Sequence, residues 1–137
     1  MTAEECWQRL ATAHRATLST LNPDGRIDAV PVVFAVGAGG RIVVPVDTVK
    51  AKSTVALQRI ENLRRDPRAT VLADHYDDDW SALWWVRFQG EATTMAGDRM
   101  ADAVELLAQR YPQYRGPGSI VAVIELIPTV VTGWREG

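Results

Sequence analysis

Two turn signatures set close together in the first part of the chain constrain its fold more than any other feature. Asn22-Pro23-Asp24-Gly25 supplies a proline that fixes φ and a glycine that accepts a positive φ, and Gly37-Ala38-Gly39-Gly40 follows after one further β-favouring run. Turns this short reverse the chain, because a parallel crossover needs about a dozen residues. The segments they join, Arg15 to Leu21, Ile27 to Val36 and Arg41 to Val46, therefore read as an antiparallel meander. The middle segment is apolar on both alternating faces, Ile27, Ala29, Val33 and Ala35 against Val30, Val32, Phe34 and Val36, which predicts a strand covered on both sides.

The meander is flanked by helical signals. Thr2 and Glu5 form a capping box ahead of Cys6, Trp7 and Leu10, so a short helix is expected up to about Thr12. Ser53 or Thr54 can cap a helix carrying Val55, Ala56, Ile60 and Leu63, which Asp66-Pro67 stops. Strands then run from Arg68 to Tyr76 and, after the acidic loop Asp77-Asp78-Asp79, from about Ala82 to Met95 with Gly90 as a bulge. Asp98 caps a third helix with Met100, Val104, Leu107 and Tyr111 along one stripe, and Ser119 to Trp134 makes a last strand bent near Pro128. The expectation is an α+β protein, a six-stranded antiparallel barrel with flanking helices, in one domain over residues 1–137; this length holds one core and is short for two.

Bulk composition, 47% hydrophobic and 23% charged with a net charge of −2, belongs to a globular protein and not to a dedicated nucleic-acid binder. Cys6 is the only cysteine, the first residues are acidic where a secretory signal is basic, and no apolar run approaches the roughly 18 residues of a membrane span. A reducing, cytoplasmic setting without membrane contact is expected. Charge is uneven, however: between Lys50 and Arg68 stand Lys50, Lys52, Arg59, Arg64, Arg65 and Arg68 against Glu61 and Asp66, a local +4. Lys50 and Lys52 lie just ahead of a helix start, where free N–H groups and the macrodipole already favour phosphate. Read alone, the cluster is equally a solvated helix face.

Trp80, Trp84 and Trp85 crowd the start of the long strand, and adjacent strand residues face opposite ways, so Trp84 and Trp85 serve different surfaces. The loop with Asp74, His75, Asp77, Asp78 and Asp79 lacks the glycine and terminal glutamate of an EF-hand and reads as an exposed loop rather than a metal site. No serine sits in a nucleophile elbow, only His14 and His75 are available as bases, and Cys6 lies on a buried-looking helix face. With no self-sufficient acid, base or nucleophile, an enzyme built on this chain would leave the reactive chemistry to a cofactor.

The ordered combination of Ala16-Thr17-Leu18-Ser19-Thr20, Asp24-Gly25, Val30-Pro31-Val32-Val33-Phe34, Lys50-Ala51-Lys52, Asn62-Leu63-Arg64-Arg65-Asp66-Pro67-Arg68, Asp79-Trp80-Ser81 and Gly90-Glu91-Ala92 resembles the pyridoxamine-phosphate-oxidase-like split β-barrel proteins. Within them it is most similar to the actinobacterial deazaflavin-dependent (coenzyme F420-dependent) reductases of the B group. The resemblance implies a split β-barrel homodimer with cofactor clefts shared by both chains, Lys50 and Lys52 gripping the cofactor phosphate, Ala29, Val30, Pro31 and Val32 bordering its ring partly through backbone groups, Ser19 and Thr20 nearby, and Trp80 and Ser81 near its tail. It also implies hydride transfer between coenzyme F420 and a small-molecule substrate. An FMN-binding or pyridoxamine phosphate oxidase-like oxidoreductase and a non-catalytic cofactor-binding protein are the alternatives. The chain departs from such reductases by carrying Ser53 to Glu61 ahead of Asn62, so Arg59 and Arg64 receive no ligand role from the resemblance.

Overall fold

The computed structural model describes residues 1–47 and 54–136. Helix α1 (Ala3–Thr12) begins where the capping box places it, with the Thr2 side chain accepting from the Glu5 N–H. Strands β1 (Ala16–Leu21), β2 (Ile27–Val32), β3 (Ala35–Gly37) and β4 (Arg41–Asp47) follow, then α2 (Thr54–Arg65), β5 (Arg68–His75), β6 (Trp84–Thr94), α3 (Gly97–Arg110) and β7 (Ile120–Arg135). The strands form one antiparallel sheet in the order β2-β1-β5-β6-β7-β4-β3.

That sheet has seven strands where six were expected, because the run Ile27 to Val36 divides at Val33 and Phe34. Its first part pairs with β1 and its second with β4, so both edges of the sheet belong to one stretch of chain, and the sheet curls into a split barrel. The backbone at the division leaves both ladders and needs other partners. Tyr111 and Arg110, at the end of α3, provide them. The Tyr111 hydroxyl accepts from the Phe34 N–H (3.3 Å) and donates to the Phe34 carbonyl (2.9 Å), while Arg110 Nη1 donates to the same carbonyl (3.1 Å).

The expected double cover is also misplaced. On β2, Ile27, Ala29 and Pro31 are exposed. It is β4 that is buried on both sides, with Ile42, Val44 and Val46 turned into the barrel and Val43 turned under α3. Inside, Leu18, Phe34, Val71, Val86, Phe88 and Leu126 form the core, and α1 seals it through Cys6, Leu10 and Trp7, whose ring meets Phe88 at 4.5 Å. The α1 contact requires Gly133 on β7, where a Cβ would stand 2.7 Å from Cys6 Sγ. The register of β6 and β7 shifts at Gly90, where the sequence places a bulge, but the extra residue is Thr129 on β7; a Cβ on Gly90 would lie 2.1 Å from the Ile127 carbonyl oxygen.

Helix α2 docks through Leu63 and the buried Asn62, whose Nδ2 donates to Thr20 Oγ1 (3.1 Å) and Asp28 Oδ2 (2.9 Å). Helix α3 packs Ala103 and Leu107 on Ala35, Val43 and Val123 as a second apolar cluster outside the barrel. Asp98 does not cap α3. The N-cap is Ala96, which makes no side-chain bond, and Asp98 stands in the first turn, where its charge can act only through the helix dipole. Among the described residues no helix is long and apolar enough to cross a membrane.

Candidate cofactor site

Strand pairing lays out a bare outer face across β2, β1, β5, β6 and the second half of β7. Pro31, Thr17, Leu72, Arg87 and Thr132 make one row, and Ala29, Ser19, Thr70, Gln89 and Val130 the next. Among the described residues no element covers it: Val130 is 50% exposed, with Ile27, Leu72 and Trp134 also open to solvent. In its middle Arg87 lies over the Trp85 ring at 5.2 Å, and its Nε is shut off from water without a partner. Open apolar side chains such as Leu72, Val130 and Trp134, set among polar Thr17, Ser19, Thr70, Arg87, Gln89 and Thr132, make this face a candidate interaction surface.

The strand alternation divides the residues singled out by sequence. Ser19, Ala29 and Pro31 stand on the bare face. Thr20, Val30 and Val32 point inward, Thr20 to Asn62 and Val32 into the core, so only their backbone can border a ligand. Because β2 is an edge strand, backbone groups along its outer side have no ladder partner.

The far end of that edge meets the end of β4. Beside a register shift between Val46 and Asp47, Asp47 is buried and its Oδ2 accepts from the Tyr114 hydroxyl at 2.8 Å. Burial, and then the bond to Asp47, push the Tyr114 hydroxyl above its ordinary range. Arg59 reaches the same corner from α2 and, with Pro31, Val32 and Val33, lines a cavity of about 20 Å³. Its guanidinium pKa is lowered by burial against the opposing pull of Asp47, and its Nε is buried with no partner. Lys50 and Lys52 lie outside the described residues; Asp47 and Thr54 are the described residues that flank them. The other cations of the cluster are engaged: Arg64 with Glu61 (2.7 Å), Arg68 with Asp66 (2.6 Å), and Arg65 with the Leu21 carbonyl.

Trp80 and Ser81 sit on a short 3₁₀ turn (Trp80–Ala82) between β5 and β6. Trp80 is 74% exposed, and Ser81 donates both its N–H (3.0 Å) and its hydroxyl (2.6 Å) to Asp79 Oδ1, which holds the Asp79 carboxyl below the usual carboxylate range. Asp47 and Tyr114 carry no motif that would announce them, and Asn62 opens the Asn62–Arg68 segment without a role read from it. Asp47 and Tyr114 meet across 67 positions of sequence, a separation at which periodicity is silent.

The described residues thus form a split barrel with an open strand edge, a corner where Arg59 meets Asp47, and an uncovered outer face. The chain belongs to the pyridoxamine 5'-phosphate oxidase family, whose pattern it matches over residues 2–135. A search of curated proteins found no match. Solved structures resemble it closely in fold. A conserved hypothetical protein of Mycobacterium tuberculosis superposes with a TM-score of 0.79 at 23% identity, covering 98% of this chain and 85% of its own. A FAD binding protein from Mycobacterium smegmatis gives 0.67 at 22%, covering 99% and 96%. A heme binding protein from the same organism gives 0.72 at 25%, covering 98% and 54%.

Proposed function

We propose that this chain is a hydride-transferring oxidoreductase that binds coenzyme F420 in a cleft formed with a second copy of itself, FMN being the alternative cofactor. The observation that carries the reading is the half-buried Arg59, whose Nε lacks a partner at the point where the open edge of β2 ends. An orphaned cationic donor beside an edge strand fits a planar heterocycle with a phosphate arm, since charge-assisted bonds to phosphate oxygens satisfy such donors.

Lys50 and Lys52 would hold the phosphate, with Arg59 beside them. Backbone groups of Ala29 to Val32 would fix the ring, and Ser19 stands on the neighbouring strand. Trp80 and Ser81 would meet the cofactor tail. When bound, a deazaflavin supplies a two-electron hydride donor that reacts little with oxygen. The chain's own work is then to orient the ring and to exclude water through the second copy lying on the bare face. That face supports a homodimer, because Leu72, Val130 and Trp134 are left uncovered by this chain alone.

Parallel titration of the purified protein with coenzyme F420, FMN and pyridoxal phosphate tests the reading. F420 should bind and FMN should bind weakly; protein that is yellow as purified and consumes oxygen on reduction supports the alternative. Replacing Lys50 and Lys52 together with alanine should weaken F420 binding at least tenfold, with the far-UV circular dichroism unchanged. Light scattering should give the mass of two chains.

A further inference from the structure

A second cavity, of about 730 Å³, shares no lining residue with the small cavity at Arg59. The end of α1 and the residues after it, the end of β5, the 3₁₀ turn and the end of β7 all contribute to its walls. Its size falls in the range of small-molecule sites, roughly 300–1,000 Å³, where close-packed interiors leave only water-sized gaps. Both histidines of the chain, His14 and His75, line it.

Three arginines from separate segments face it: Arg9 on α1, Arg15 ahead of β1 and Arg135 on β7. Asp74 and Glu136 are the carboxylates in the same wall. Arg135 is held by Glu5 (3.4 Å), and Arg9 lies over the Trp84 ring at 5.7 Å. Arg15 makes no ion pair with any described residue. His75 is nearly parallel to Trp84, with rings 6.5 Å apart and inclined by 22°, and its Nε2 is bonded to Asp77 Oδ2 at 2.8 Å. That bond orients the imidazole and leaves Nδ1 as its remaining ring nitrogen. With Glu5 neutralising Arg135, the remaining arginines and the carboxylates of the wall balance, and Arg15 is the wall cation without an ion pair or ring contact among the described residues.

We infer that this cavity binds a small planar organic anion, an aromatic or conjugated carboxylate, with Arg15 meeting its charge and His75 and Trp84 forming its flat wall. The inference does not rest on the cofactor reading, although Ser81 lies at this cavity and is also assigned there to the cofactor tail. An unpaired arginine at the rim of one void suits a compact carboxylate better than an extended chain, and the His75 imidazole, backed by Trp84, offers a planar ligand area at little entropic cost.

The test uses cinnamate as probe and its neutral amide as control, followed by NMR of the His75 and Trp84 ring signals in the intact protein. Cinnamate should cause saturable shifts of both rings, and cinnamamide should bind at least tenfold more weakly. Arg15→Ala should reproduce that loss, His75→Ala should lose the Trp84 shift, and the Lys50→Ala/Lys52→Ala variant should bind cinnamate like the wild type. Equal binding of acid and amide, absence of saturable shifts at these two rings, or loss of binding in the lysine variant would each overturn the inference. The acid–amide comparison needs no variant, so a misfolded mutant cannot rescue it.

Discussion

Strand β7 passes from one outer face of the barrel to the other, and its two halves differ sharply though both are rich in aliphatic residues. From Ile120 to Leu126 it runs beside β4, and Val123, Ile124 and Leu126 are fully buried between the barrel interior and α3. From Ile127 onward it runs beside β6 alone, and Ile127 and Val130 are about half exposed. The first half is the more aliphatic and leaves Val121 as its one open large side chain, whereas the second adds Pro128, Thr129, Thr132 and Gly133 and opens Ile127, Val130 and Trp134, so composition and cover both change. Folding of a single chain completes the first face and leaves the second unfinished, which is what a surface reserved for another molecule requires.

The largest expected effect comes from the finished face. Leu107→Ala removes a fully buried side chain from the α3 cluster and should cost about 2–5 kcal/mol in denaturant unfolding, independent of protein concentration. Val130→Asp, on the bare face, probes the opposite case. It should leave the unfolding of a dilute, monomeric sample within about 0.5 kcal/mol of wild type, yet weaken self-association at least tenfold, about 1.4 kcal/mol, in sedimentation. Stability that depends on concentration for the wild type and not for Val130→Asp would establish the contrast between the faces. A wild type that stays monomeric throughout would break it.

Much of this architecture is legible in the residues, and the parts that are not share a cause. Local signals hold: the Thr2 cap, the Asn22–Gly25 hairpin turn with its Asn22 side chain accepting from the Asp24 and Arg26 N–H groups (3.0 Å each), the stop at Asp66-Pro67 and the Gly90 register shift. What sequence periodicity misses is partnership. Alternation shows that both sides of the run Ile27 to Val36 are apolar; it does not show that one part pairs with β1 and the other with β4, nor that the Phe34 corner is satisfied by Tyr111 from the far end of the chain. The candidate site divides in the same way. The basic cluster is visible by counting, whereas the buried, unpartnered Nε of Arg59 and the Asp47–Tyr114 bond exist only once distant segments meet.

The smallest expected effects lie at the seam between the faces and turn on pH. Tyr114 loses its proton less readily in the folded chain than in the unfolded one, owing to burial and to Asp47. A raised pKa contributes stability that is fully present below the unfolded value, about 10 for tyrosine, and is lost as pH rises beyond it. Stability should therefore fall on the alkaline side from about pH 10 upward, and Tyr114→Phe should flatten that limb. At the acid end the sign reverses. Hydrogen bonds from Arg68 hold the Asp66 carboxyl at about 2, so its contribution is present above the ordinary carboxylate range and is lost as pH falls from about 4 toward that value. Asp66 is near the surface, where solvent screens the pair, so Asp66→Asn should change acid unfolding less than Tyr114→Phe changes the alkaline limb. Thermal melts of the three proteins across pH check the order, and an alkaline limb that survives in Tyr114→Phe would remove the Asp47–Tyr114 bond as its source.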